Sequence, residues 1–254
     1  MIANGARPET ADLAPGSAIT SPPPDTDPRA TRKPPEIAPA AETPPATTRD
    51  QILDAAERLI GELGIDGASV RAITEAAGAN LAAVNYHFGS KEGLVRAVFE
   101  RRLVPINRER LRMLDRCTEG DDREPSLECI VRAFVKPPLE VLRGDHASSF
   151  GRCMIRALAD PGEQMRLLLV EAFEEVVGRF AEALGRALPS ETSEGVFWRF
   201  HFMIGAMAYT IGMGHLVEEY SHGTCACSDL DAVGERLVRF VTAGMAAATG
   251  EGSA

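Results

Sequence analysis

The sequence predicts an all-α fold, with a small N-terminal three-helix head and a larger C-terminal helical bundle. Three observations lead there. From Ile52 to Met245 apolar residues recur every three or four positions, which places them on single helix faces. No stretch alternates apolar with polar residues as a half-buried strand does, and no internal repeat is present. Ser, Thr, Asn or Asp precedes several of these runs and Gly follows them, as helix ends require.

Residues 1–46 stand apart, because they hold 11 of the 17 prolines among many Ala, Thr and Asp. Such a segment cannot bury enough apolar surface to offset its ordering entropy, so a disordered tail is expected. Helical pattern begins at Thr47 or Thr48, either of which can cap a first helix. Its apolar face is Ile52, Ala55, Ala56, Leu59, Ile60 and Leu63, and Gly64 is expected to end it.

Ser69 to Leu94, SVRAITEAAGANLAAVNYHFGSKEGL, is the most informative stretch. Ser69 caps a short helix whose inner stripe is Val70, Ile73, Ala76 and Ala77, and Gly78 stops it. Asn80 caps the next, with Leu81, Val84 and Phe88 inward and Ala82, Ala83, Asn85, Tyr86 and His87 on or near the outer side. Gly89 breaks that run, and Ser90 caps a new helix that starts with Lys91 and Glu92. Helix, glycine turn and short helix with an outward polar face make a helix-turn-helix pattern.

The remaining elements are long. A helix from Ser90 to about Arg116 joins head to bundle, with Pro105 an expected kink or break. Leu127 to Leu142, Ser148 to Leu158 and Glu163 to Leu188 follow. Thr192 to Tyr220 is apolar nearly all round and is expected at the centre; Asp229 then opens a last helix through Ala248. The expected domains are therefore 1–46 (tail), 47–93 (head) and 94–254 (bundle).

Composition narrows the function classes. No apolar run reaches the length of a membrane span, and the N-terminus lacks the basic-then-apolar layout of a secretory signal. Five cysteines at irregular spacing do not suggest a disulfide framework, so a reducing cytoplasm is the expected setting. The net charge of −10 argues against a broadly basic nucleic-acid binder. Residues 47–103, however, carry seven basic and eight acidic groups and are close to neutral, while the rest is acidic. Attraction to phosphate would then come from placed groups and helix N-termini. Sequence signatures of serine hydrolases, zinc proteases and nucleotide sites are missing, so no catalytic residue, metal or cofactor is assigned.

The run from Thr48 to Leu103, and YHFGSKEGL within it above all, resembles the DNA-binding domain of TetR-type bacterial repressors. The resemblance implies a homodimer that holds a double-stranded DNA operator and answers to a small hydrophobic effector. It places Thr48, Arg49, Ser69, Arg71, Asn80, Ala82, Ala83, Asn85, Tyr86, His87 and Lys91 at the DNA surface. Arginine suits guanine edges or phosphate, asparagine suits adenine, and alanine offers only methyl contact.

In the bundle, Phe197 to Leu216 carries Gly205, Ala208 and Gly212 at roughly helical spacing. With Leu237, Phe240 and Val241 of the last helix, these residues are assigned to the two-fold interface that the family forms from its last two long helices. Met113, Phe134, Phe150, Met154, Phe173, Trp198, Arg199, Met203 and Met207 are assigned to an adaptable effector pocket. NLAAVNYHFGSK followed far downstream by FWRFHFMIGAMAY looks most like the fatty-acid-responsive branch (Pseudomonas sigma-regulator type), which implies a long-chain acyl effector. Two other readings remain open. His222, Cys225 and Cys227 could make a thiol- or metal-responsive regulator. Alternatively, the chain could be an all-α enzyme or small-molecule carrier without DNA binding.

Overall fold

In the computed structural model, the described residues are 47–118, 125–141, 147–159 and 162–247, all within one compact unit. The expected disordered tail lies outside them. Ten helices are seen among these residues: α1 (Thr48–Gly67), α2 (Val70–Ala76), α3 (Leu81–Phe88), α4 (Lys91–Thr118), α5 (Leu127–Val141), α6 (Ala147–Ala159), α7 (Glu163–Ala187), α8 (Ser193–Met213), α9 (His215–Tyr220) and α10 (Leu230–Ala246). No strand occurs among the described residues, and the fold is all-α.

Two apolar cores are threaded by α4. The first joins Ile52, Ile60, Ile73, Val84, Leu94, Val98 and Phe99 of the head to Phe150 and Cys153 of α6 and Leu168 of α7. The second gathers Leu114 of α4 with α5, the later half of α7, α8 and α10. At its centre Phe134 meets Phe180 and Phe200 edge-on, with ring centroids 5.2 and 5.0 Å away. Such geometry lets the positive ring edge face a negative ring face.

Several boundaries differ from expectation. Gly64, expected to end the first helix, does interrupt it with a non-helical backbone (φ 80°, ψ 169°), but a further short turn runs on to Gly67. Pro105 does not break α4, which runs as one helix through it. The expected helix from Thr192 to Tyr220 is divided at Gly214 into α8 and α9. Nor is α8 central: only Val196, Phe200, Met203 and Met207 are buried, while Trp198, Phe202 and Tyr209 are exposed. Apolar residues all round this helix thus serve two faces, one inside the chain and one outside it. Leu81 is also exposed, because α3 turns only Val84 fully inward.

The cysteine spacing suggests no disulfide framework, yet a disulfide is present. Cys117 and Cys129 form a disulfide that joins the end of α4 to the start of α5, with Cα atoms 5.8 Å apart. Irregular spacing in sequence hides this, because helix ends facing one another across a short connection set the distance. Among the described residues no helix is long and apolar enough to cross a membrane.

α5 passes through Pro137 and Pro138, and a proline offers no N–H to the carbonyl one turn back. The Phe134 carbonyl freed by Pro138 accepts instead from Arg110 Nε at 3.0 Å. Arg199 plays a comparable part at the end of α10. Its guanidinium donates to the carbonyls of Gly244, Met245 and Ala247, which the helix end leaves without partners, and pairs with Glu191 at 2.8 Å.

Candidate nucleic-acid interface and ligand core

The head is built from caps inward. Thr47 Oγ1 accepts from Asp50 N at 3.2 Å, Ser69 Oγ from Ala72 N at 3.1 Å and Asn80 Oδ1 from Ala83 N at 2.9 Å. Ser69 and Asn80 therefore spend their side chains on starting α2 and α3. Gly89 (φ 76°) closes α3, Ser90 N donates to Phe88 O at 2.9 Å, and Ser90 Oγ accepts from Gly93 N at 3.1 Å. A Cβ at position 93 would run into the Phe88 carbonyl oxygen, so this turn admits only glycine there.

This framework sets the outer face of α3. Ala82, Asn85, Tyr86 and His87 are exposed, Ala83 is half-buried, and Tyr86 shows 85% of its surface. Tyr86 and His87 rings meet edge-on at 5.0 Å between centroids. Thr48, Arg49 and Arg71 are exposed on α1 and α2, and the Arg49 guanidinium lies 5.5 Å from the Phe88 ring centroid. Lys91 donates to the Asp66 carbonyl at 3.3 Å. The Glu92 carboxyl at the start of α4 is held below the usual carboxylate range by its own backbone N–H and by Ser90.

The head is locked to α4 by charge. Glu57 of α1 is 1% exposed, yet accepts from Arg101 Nη2 at 2.8 Å and from Arg102 Nε and Nη2 at 2.9 and 3.0 Å. Arg101 also reaches Asp54 at 2.7 Å. Nothing in the spacing of these residues singled them out, although Glu57 falls on the apolar side of α1 and a buried acid there demands partners. The Cys153 thiol, donating to the Glu57 carbonyl at 3.1 Å, is pushed up to about 12 by burial and the nearby acid.

The residues assigned to an effector pocket are not brought into one cavity. Phe134, Met203 and Met207 are buried in the second core, Met113 packs at its edge, and Phe150 lies in the first. Met154 and Phe173 pack half-buried against the first core, and Trp198 is exposed. Arg199 is committed to Glu191 and the end of α10. Three of the assigned residues do share a neighbour that sequence reasoning missed. Arg110 of α4, 2% exposed, stacks 3.9 Å from the Phe134 ring centroid, lies 5.8 Å from that of Phe173 and donates to Met207 Sδ at 3.4 Å. Burial holds this guanidinium down to about 9.

A cavity of about 530 Å³ opens elsewhere, bounded by the end of α8, α9, the following loop and the start of α10. Ile211, Leu230, Val233, Cys225 and Cys227 are among its walls. Cys227 Sγ donates to the Gly214 carbonyl at 2.8 Å, and among the described residues no group of three or more His, Cys, Asp or Glu is arranged to hold a metal.

The residues assigned to a two-fold interface separate as well. Gly205 and Phe240 are exposed and Ala208 is half-buried. Leu237 and Val241 instead belong to the chain's own core. Gly212 faces α6, where an added Cβ would sit 2.7 Å from Ile155 Cδ1. Its small size serves contact within the chain.

A capped helix-turn-helix head on an all-helical body is the architecture of a DNA-binding regulator that presents a short second helix to a groove. Residues 52–98 match the model for bacterial regulatory proteins of the tetR family, and residues 132–244 match the tetracyclin repressor-like C-terminal domain. The chain belongs to the TetR family. The HTH-type transcriptional repressor AcnR of Corynebacterium glutamicum is 42% identical over 59 residues, which is 23% of this chain and 31% of AcnR. The chain thus spans about a third of the length of the curated relatives it matches.

Among solved structures, the fatty acid degradation regulator FadR from Bacillus halodurans matches at TM-score 0.58 and 19% identity, over 79% of this chain and 97% of that one. FadR from Bacillus subtilis, in complex with stearoyl-CoA, matches at 0.56 and 18%, over 76% and 97%. At such identities the likeness is one of fold.

Proposed function

We propose that the chain is a homodimeric, ligand-responsive repressor that holds a near-palindromic DNA operator through α3. The observation that carries this reading is the Asn85–Tyr86–His87 surface: exposed, preceded by a capped helix start and followed by a turn with no room for a side chain at Gly93. An asparagine can pair bidentately with adenine, while tyrosine and histidine donate to phosphates. Arg49, Arg71, Thr48, Lys91 and the helix N-termini supply local attraction that the overall charge does not. Ala82 and Ala83 offer methyl contacts to bases, and Ser69 and Asn80 act by starting the helices that face DNA.

A second copy would cover the outer face made by Trp198, Phe202, Gly205, Ala208 and Tyr209 of α8 with Phe240 of α10. Exposed aromatic side chains concentrated on two helices are what such an interface removes from water. Two heads roughly 34–36 Å apart then read two half-sites. The fold shared with a regulator bound to stearoyl-CoA supports an apolar, acyl-type effector. Effector and operator would each favour a different arrangement of the body, and so weaken one another.

Selection of full-length protein on a pool of random duplexes tests this. We expect enrichment of a two-fold sequence and affinity that falls steeply with salt. Tyr86→Ala should lose tenfold or more in affinity while unfolding at the same denaturant concentration, since the side chain packs against little. Failure to enrich any duplex would refute the proposal.

A further inference from the structure

We propose that Arg110 is the anchor for a negatively charged group on the effector, a carboxylate above all, so that the effector is an anionic amphiphile. This rests on the ligand-responsive reading above and deepens it.

The buried and half-buried arginines differ in what they are paired with. Arg101 and Arg102 share Glu57, Arg132 is held by Glu128 and Glu235, and Arg199 by Glu191. Arg110 is the most deeply buried of these, and among the described residues no carboxylate is paired with it. Its partners are the Phe134 carbonyl at 3.0 Å, Asn107 Oδ1 at 3.1 Å and Met207 Sδ at 3.4 Å, all neutral. A buried cation without a counter-ion is unfavourable, and a fold normally pairs it or does without it.

Local structure accounts for part of this side chain only. The Phe134 carbonyl, left without a helical donor by Pro138, needs an N–H, and Nε provides it. A neutral donor would serve there equally. The charge itself stacks on the Phe134 ring with no anion beside it, Nη1 donates to the neutral Asn107 Oδ1, and Nη2 is left facing a thioether, which is a weak acceptor.

The surroundings suit an apolar tail. Phe134 and Phe173 flank the guanidinium, Met207 touches it, and Met203 and Met113 pack in the same core. Methionines rearrange at low cost, so rotation of Met207 would free the Nη2 edge and open room beside it. The incoming anion would thus replace the weakest of the three acceptors. Arg110 also stands two helical turns beyond Arg102, on the helix whose other half grips α1. Drawing Arg110 toward an anion therefore acts on the element that carries the head.

The test compares each acid with its neutral alcohol: hexanoate with hexanol, dodecanoate with dodecanol, benzoate with benzyl alcohol. Binding to the full chain is measured by calorimetry, without DNA. At least one acid should bind tenfold or more tightly than its alcohol. Arg110→Gln, which keeps an N–H for the Phe134 carbonyl, should lose that preference, and Arg110→Lys should retain part of it. A purely structural arginine would shift the melting temperature in these variants without touching the preference. Ala226→Trp, which obstructs the separate 530 Å³ cavity, should leave it intact.

Equal affinity for acid and alcohol, binding of neither, or a preference that survives Arg110→Gln overturns the proposal. So does loss of the preference in Ala226→Trp alone. Because no DNA is present, an Arg110-dependent preference in a chain that enriches no duplex would sink the regulator reading and leave this one standing.

Discussion

Glu57 offers the sharpest check on how the head is held. Its carboxylate is almost fully buried and accepts three N–H groups at 2.8, 2.9 and 3.0 Å from two arginines. Each arginine side chain keeps 23% exposure, so both retain some water. Breaking a fully buried pair from one side costs about 3–5 kcal/mol, and the wetter guanidinium side argues for the lower end, about 3 kcal/mol. For a domain of this size that corresponds to a fall in melting temperature of about 6–12 °C.

Glu57→Ala should show this loss in urea unfolding at fixed protein concentration, which matters if the chain dimerises. Replacing Glu57, Arg101 and Arg102 together by Met removes the charges at once and should cost less than Glu57→Ala alone. Hydrogen exchange should then accelerate in α1 for the single variant and much less for the triple. A single-variant cost below about 1 kcal/mol, or a triple that is worse than the single, would show the clamp to be incidental.

Two further outcomes follow from α10 and α8. Arg132 first, and Lys136 second, hold Glu235 down to about 2 from an ordinary 4.5. Its folded value lies below its unfolded one, so its contribution is present above pH 4.5 and is lost as the pH falls toward 2. Glu235→Gln should flatten the decline of unfolding free energy across that window; an unchanged acid limb would refute the assignment. At Gly212, alanine gains about 1 kcal/mol of helix propensity but meets Ile155, and overpacking costs about 1–3 kcal/mol. Gly212→Ala should therefore destabilise the natural chain and become neutral or stabilising beside Ile155→Ala, as read by thermal unfolding; stabilisation in both backgrounds would mean that α6 yields freely.

The head was legible because its signals are local. Caps at Ser69, Asn80 and Ser90, and stops at Gly78 and Gly89, act over three or four residues, so the string shows them directly. Whether an apolar residue of the bundle faces the core or the outside is not local. Leu237 and Phe240 are three positions apart on one helix, yet one is buried and the other is 72% exposed. Gly212 reads as an interface glycine until Ile155 is seen against it. Met113, Phe134, Phe173 and Met207 show in sequence only as apolar residues, and the residue that touches three of them is a charged one. On α4 Arg110 looks like its exposed neighbours Arg108 and Arg112, and only the packing of α5 and α8 over it reveals the difference.

Pro105 stands between the guanidinium pair that grips α1 and the one set deep among aromatic rings. It brings no N–H to the Arg101 carbonyl, so a rod of 28 residues, about 42 Å long, lacks one rung midway. A missing rung lowers resistance to bending, so a displacement of the far half would turn the near half there, and α6 and α7, which share the head's core, would oppose that turn.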